Sequence, residues 1–246
     1  MIDASNSEQA LAGRFFTLSG SGERHYRTDF LGKKGDPRVK GRPQAYMLDL
    51  NPGEVLPPHF HIIDQFQVFH RGSGTLGRNS DVIHPVTIHY ADHHTGYGPI
   101  TAGEQGFSYF TLRPEADPGA VYLHKEGYRE KLEPSRKRHH VVHAGIGEGF
   151  PAHADVAVER LIEKKDQEDA GVTLLRLGAN ASADAPDPSV SGGQYYLVLE
   201  GSMQYRGESY PSQSVFFVHP DEPSFKVQAG PQGLQVAVME FPAWRG

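Results

Sequence analysis

The feature that most constrains this chain of 246 residues is that it repeats itself. Gln65-Phe-Gln-Val-Phe-His-Arg-Gly72-Ser73 returns as Gln194-Tyr-Tyr-Leu-Val-Leu-Glu-Gly201-Ser202. Ala102-Gly-Glu-Gln-Gly106 returns, in the same order, as Ala229-Gly-Pro-Gln-Gly233, and each copy runs on into an alternating apolar stretch. The interval far exceeds the roughly 20–50 residues of stacked solenoid repeats. It implies two tandem domains of the same kind. With 28 glycines and 18 prolines against 37% hydrophobic residues, those domains are expected to be built from short strands and turns.

Alternation supports strands at Gln44–Leu50, Phe66–Phe69, Val82–Tyr90, Phe107–Arg113, Val172–Leu177, Tyr195–Leu199, Val215–Val218 and Leu234–Phe241. Asn51-Pro52-Gly53 and Arg71-Gly-Ser-Gly74 are turn signals. Residues 1–20 read as an arm or short helix suited to packing on a partner subunit. Residues 114–140 are charged and turn-rich and read as an inter-domain connection with a short helix near Arg129–Leu132. Residues 155–170 read as partly helical or as a solvated strand pair. The expected domains are residues 1–125 and 126–246.

The two copies differ in histidine. His59, His61, His70, His84, His89, His93 and His94 crowd into the first copy, whereas the matching part of the second holds only His219. His59 and His61 are two apart, so on an extended strand both imidazoles leave one face. Gln65 shares their parity if the strand stays regular. Pro57 and Pro58 force an extended approach. Nitrogen and oxygen donors converging on one face suit a first-row transition metal. Gln65 is either an amide-oxygen ligand or a donor that orients a water or substrate. A neutral ligand set would leave the metal's charge uncompensated and favour an anionic substrate. Gln67 and Phe69 continue the parity and are candidate substrate contacts. Tyr97 is a candidate hydrogen-bond donor. Arg113, at a strand end, is a candidate carboxylate anchor but more ordinarily a surface residue. His139, His140, His143 and His153 share no regular strand face and read as a solvated connector.

These residues resemble the cupin superfamily. Its usual first motif is Gly, five residues, His-x-His, three or four residues, Glu, six residues, Gly; Gly53, His59, His61 and Gly72 fit it, with Gln65 where Glu is usual. The resemblance covers residues 40–113 well and 172–241 more weakly, and it implies a bicupin: two tandem antiparallel jelly-roll barrels, all-β, with the metal site in the N-terminal one. The family's second motif implies another histidine ligand. Matching Val86-Thr-Ile-His89 with Phe216-Phe-Val-His219 puts His94 there, opposite Ser224; counting back from Gly103 puts Tyr97 there, and His93 is a third choice. The implied site is His59, His61, Gln65 and His94 around one divalent metal, Fe(II) first, with Zn, Ni or Mn as alternatives. The implied activity is that of a non-heme iron dioxygenase on a small oxygenated substrate. The alternatives are a redox-neutral lyase, isomerase or cyclase, and a non-catalytic small-molecule-binding module.

A net charge of -6 argues against a nucleic-acid backbone as main partner. No apolar run reaches membrane-spanning length. The absence of cysteine excludes disulfides, thiolate nucleophiles and cysteine-type zinc sites. No phosphate loop, nucleophile elbow or dinucleotide-binding glycine pattern is present. A cytoplasmic homodimer acting on a small, anionic molecule is the expectation.

Overall fold

In the computed structural model the chain is all-β, its strands paired antiparallel throughout. Residues 1–18, 22–34, 36, 38, 40–145 and 155–243 are described. The chain divides into two compact units, Gly13–Ala144 and Met1–Ala12 with Gly145–Gly246.

The first unit's main sheet runs, in spatial order, His139–His143, Thr87–Ala91, Gln65–Leu76, Ile100–Arg113, Gln44–Leu50, Arg24–Leu31 and Phe15–Leu18. The second runs Ile2–Ser5, Val215–Val218, Gln194–Tyr205, Lys226–Glu240, Gly171–Leu177 and Val156–Ile162. The first six strands of the first order correspond, position by position, to the six of the second, and Phe15–Leu18 is an additional edge strand. The sequence repeat falls on the two central, longest strands of each sheet. Its glycines are there for a steric reason. Gly72 (φ 77°) and Gly201 (φ 71°) hold backbone that L-residues resist, and a Cβ there would stand 2.3 Å from the Gly106 carbonyl oxygen and 2.1 Å from that of Gly233. In both units the register between the long strands shifts beside these glycines, as at a β-bulge.

Two expectations change. The domain boundary expected after residue 125 falls instead after Ala144, because His139–His143 hydrogen-bonds along Thr87–Ala91, with Val141 opposite His89. Thr87–Ala91 is buried along its whole length, so its outer ladder groups need a partner strand rather than a solvated connector. His139, His140 and His143 therefore belong to a strand; His153 lies outside the described residues. The N-terminal arm, expected on a partner subunit, packs within its own chain: Ile2–Ser5 pairs with Val215–Val218, and Ile2 and Ala4 cover the second unit's apolar core. A short helix, Ser7–Ala12, follows it. Residues 155–170 contain an exposed strand, Val156–Ile162, and the connection carries a single 3-10 turn at Arg129–Lys131. Among the described residues no helix is long and apolar enough to cross a membrane.

One face of the first unit's sheet is apolar: Phe66, Val68, Ile88, Tyr90, Phe110 and Leu112 are all fully buried. The opposite face is polar in its middle. Gln67 lies across from His89 on one side and Thr111 on the other, and Thr111 across from Tyr46. A polar row inside a folded sheet requires partners or a ligand, and this row walls the candidate site.

Candidate functional site

The stretch preceding the two histidines is pinned from below. Gly53 (φ 70°) closes a turn in which the Glu54 N–H donates to the Asn51 carbonyl at 3.1 Å. The buried Glu54 carboxylate accepts from the Asn51 N–H at 3.0 Å, and its other oxygen meets His25 Nδ1 at 2.9 Å. Burial alone would raise the Glu54 pKa, but the His25 and Asn51 bonds outweigh it and hold it below the ordinary carboxylate value. Val55–Leu56 then pairs with Ile100–Thr101, and His59–Phe60 with Val121–Tyr122.

His59 and His61 are buried, their rings 5.2 Å apart and edge to face. His59 Nδ1 meets the Pro57 carbonyl at 2.7 Å, and His61 Nδ1 meets Asp117 Oδ1 at 2.9 Å. An oxygen acceptor on each Nδ1 fixes the proton there and leaves each Nε2 a lone pair. Burial, and then the neighbouring charges of His61 and Arg113, lower His59 to a pKa of about 3; burial and Arg113 lower His61 to about 4. Both rings are therefore neutral near pH 7, the state a metal ligand needs. Asp117 is held below its usual value by His61 and Arg113 against the opposing effect of burial.

Tyr97 stands beside His59. The backbone of His59 and Tyr97 exchanges a pair of hydrogen bonds, at 3.1 and 3.0 Å, and directly opposed residues share a face. The Tyr97 hydroxyl lies 2.9 Å from His59 Nε2 and accepts a close hydrogen bond from the Gln65 amide. His94 does not join them. Its N–H donates to the His61 carbonyl at 2.6 Å, but its ring packs 5.7 Å from Phe60, the residue whose side chain alternates away from His59 and His61. His93 pairs with Asp64 at 2.7 Å. Of the three second-motif choices, Tyr97 is the one that lies beside His59.

Gln65 is turned to a neighbouring guanidinium. Its oxygen accepts from Arg113 Nε at 3.1 Å and Nη2 at 2.9 Å. The counterpart in the second unit behaves alike: Gln194 contacts Glu240, which also ends the long strand. Arg113, expected at the surface, is buried; its Nη2 lies 3.2 Å from the His61 ring nitrogens and its Nη1 donates to Gln44 at 2.8 Å. Gln67 lines the cavity above these groups and meets His89 Nδ1 at 2.7 Å. Phe69 does not face a ligand; it packs on Phe107 and Tyr109 in the apolar core, and Tyr109 supplies the cavity wall.

These groups open into a cavity of about 460 Å³. Among the described residues no three His, Cys, Asp or Glu side chains converge as a metal cluster. The atoms that could hold a metal are His59 Nε2 and His61 Nε2, with the Tyr97 oxygen beside the first. Two neutral imidazoles with their outer nitrogens anchored fit a divalent ion once the Tyr97 hydroxyl and Arg113 Nη2, which face the two Nε2 atoms at 2.9 and 3.2 Å, give way. The expected set of three histidines and a glutamine is not assembled. Sequence reasoning missed Asp117, Arg27, Tyr46 and His25 altogether. Arg113 shares the parity of Tyr109 and Thr111, which would have placed it on the inner face.

No family model and no curated protein matches the sequence. Solved structures match its shape over nearly the whole chain. A candidate dioxygenase from Nostoc punctiforme superposes with a TM-score of 0.66 at 9% identity, over 100% of this chain and 85% of that one. Bacillus subtilis oxalate decarboxylase, in a study of its Mn(II) centres, superposes with a TM-score of 0.59 at 10% identity, over 96% of this chain and 77% of that one. The same decarboxylase at pH 4.6 gives a TM-score of 0.58 at 12% identity, over 95% and 75%. The fold is cupin-type. At these identities the likeness concerns the path of the backbone and not the chemistry carried on it.

Proposed function

We propose that this chain is a bicupin metalloenzyme in which the first unit is the active one and His59 and His61 hold a single divalent metal. The preferred reading is a non-heme iron dioxygenase acting on a small, oxygenated, anionic organic molecule. The observation that carries it is the state of the two histidines: both neutral, both with Nδ1 anchored, at one side of a cavity large enough for a small organic ligand. When bound, Fe(II) would supply a centre at which dioxygen and substrate meet.

The surrounding residues have separable tasks. Burial raises the Tyr97 pKa, so its hydroxyl keeps its proton and serves as a hydrogen-bond donor beside His59. Gln65 holds that hydroxyl on one side and Arg113 on the other. Arg113, permanently charged, attracts an anionic substrate towards His61. Asp117 orients the His61 ring and partly balances Arg113, 3.8 Å away.

Oxygen uptake by iron-reconstituted protein, offered diketones, phenols and carboxylic acids in turn, tests the reading. Uptake that depends on both His59 and His61 supports it; no uptake with any metal sinks it. The cationic cavity favours a second reading, a redox-neutral decarboxylase or lyase. Turnover under strict anaerobiosis, with zinc or manganese in place of iron, selects it.

A further inference from the structure

The cavity wall has a charge opposite to that of the chain as a whole. The protein carries a formal -6, yet the cavity is lined by Arg27, Lys33, Lys34 and Arg113, and by Asp117 as its one carboxylate among the described residues. Asp117 already faces His61 and Arg113. Arg27 is the unusual member. It is 8% exposed, and its guanidinium carbon lies over the Tyr46 ring, 3.6 Å from the centroid. A planar guanidinium facing a carboxylate ordinarily engages it through two parallel N–H bonds. Here the neighbouring carboxylate is divided. Asp29 Oδ1 accepts from Arg27 Nε at 2.6 Å, but Asp29 Oδ2 accepts from the Lys34 backbone N–H at 2.9 Å. Arg27 Nη2 is left buried with no acceptor. An unmet buried donor on a group that cannot shed its charge is costly, and a ligand oxygen would relieve it. Arg113 approaches the same Tyr46 ring, at 5.6 Å, so the two guanidinium groups are no further apart than these two distances combined.

The geometry points to Arg27 as the anchor of a carboxylate-bearing substrate. The carboxylate sits on Arg27 over Tyr46, Lys33 and Lys34 attract it from the rim, and the rest of the molecule extends past Arg113 towards His59 and His61. This deepens the reading above and rests on the cavity being the substrate site, but it concerns recognition and not the metal.

The test is calorimetric titration of metal-free protein with benzoate and malonate, each beside its neutral amide, at low ionic strength. Wild-type protein is expected to bind the carboxylates at least tenfold more tightly than the amides. Arg27→Gln is expected to remove that preference while leaving metal content unchanged. Arg27→Lys, which keeps the charge and the pair with Asp29 but loses the second prong, is expected to fall between, and it decides alone if Arg27→Gln does not fold. Equal binding of acids and amides by wild-type protein overturns the proposal, as does wild-type carboxylate affinity in Arg27→Lys. His59→Ala/His61→Ala separates the two ideas. Arg27-dependent carboxylate binding without any metal uptake in the wild-type protein would leave this inference standing and remove the metal reading.

Discussion

At the scale of single residues, the site turns on charges that are buried and shared. Asp117 is the clearest case. Its carboxylate is fully buried, one oxygen receives the His61 Nδ1 proton, and the other has no partner. Replacing it with asparagine keeps an acceptor but removes the charge that favours this tautomer and offsets Arg113. Asp117→Asn is expected to weaken metal binding roughly 10–100-fold, the usual effect of losing such an outer partner. A chelator-competition titration checks this, and unchanged affinity would show that Asp117 merely fills space. Asp117 was not legible in the sequence. It sits in Arg113-Pro-Glu-Ala-Asp117-Pro-Gly119, where no periodicity assigns a side chain to a face. His59 and His61 were legible, because a two-residue period leaves no choice of face once the strand is extended. Tyr97 and His94 could not be separated by counting. What separates them is the reciprocal pairing of His59 with Tyr97, a contact across the chain.

At the scale of elements, the repeat announced the paired long strands because the letters it keeps include the glycines the bulge requires, Gly72 with Gly106 and Gly201 with Gly233. Gly201 and Gly207 make the steric part testable. Both have positive φ, 71° and 81°, but a Cβ at Gly201 meets the Gly233 carbonyl at 2.1 Å, whereas one at Gly207 meets nothing within 4 Å. The left-handed backbone costs alanine roughly 1–2 kcal/mol at either position. Gly201→Ala is expected to lose about 1–3 kcal/mol more than Gly207→Ala through the clash. Urea unfolding of the two variants measures the difference, and equal losses would mean that the bulge relaxes freely. The edge strands were harder to read. His139–His143 and Ile2–Ser5 occupy equivalent places in the two sheets but come from opposite sides of their units in sequence. Each is short and only partly buried, and it is defined by the strand it joins and not by its own pattern.

At the scale of the whole molecule, the two units should respond differently to acid. In the first, burial depresses His59 to about 3, and His61 and His70 to about 4. An unfolded chain takes up these protons near pH 6.5, the folded one only near 3–4. Their contribution to stability is therefore complete above about 6.5 and is lost as pH falls through that window. His70 packs against Met47 Sδ at 3.1 Å. Its shift alone corresponds to ~3–4 kcal/mol at about 1.4 kcal/mol per pKa unit. Glu240, a buried acid of the second unit, has the opposite sense: burial raises its pKa, so the folded form holds its proton more tightly and gains from acidification. Metal-free protein taken from pH 7 to pH 4 is thus expected to lose amide-exchange protection along Gln65–Leu76 before Gln194–Tyr205. Hydrogen exchange followed by mass spectrometry resolves the two strands, which are equal in length and equivalent in place. Simultaneous loss would mean that the units unfold as one and that their separate titrations are hidden. Added divalent metal should move the first strand's loss to lower pH and leave the second strand's unchanged, since neutral His59 and His61 are the form that binds.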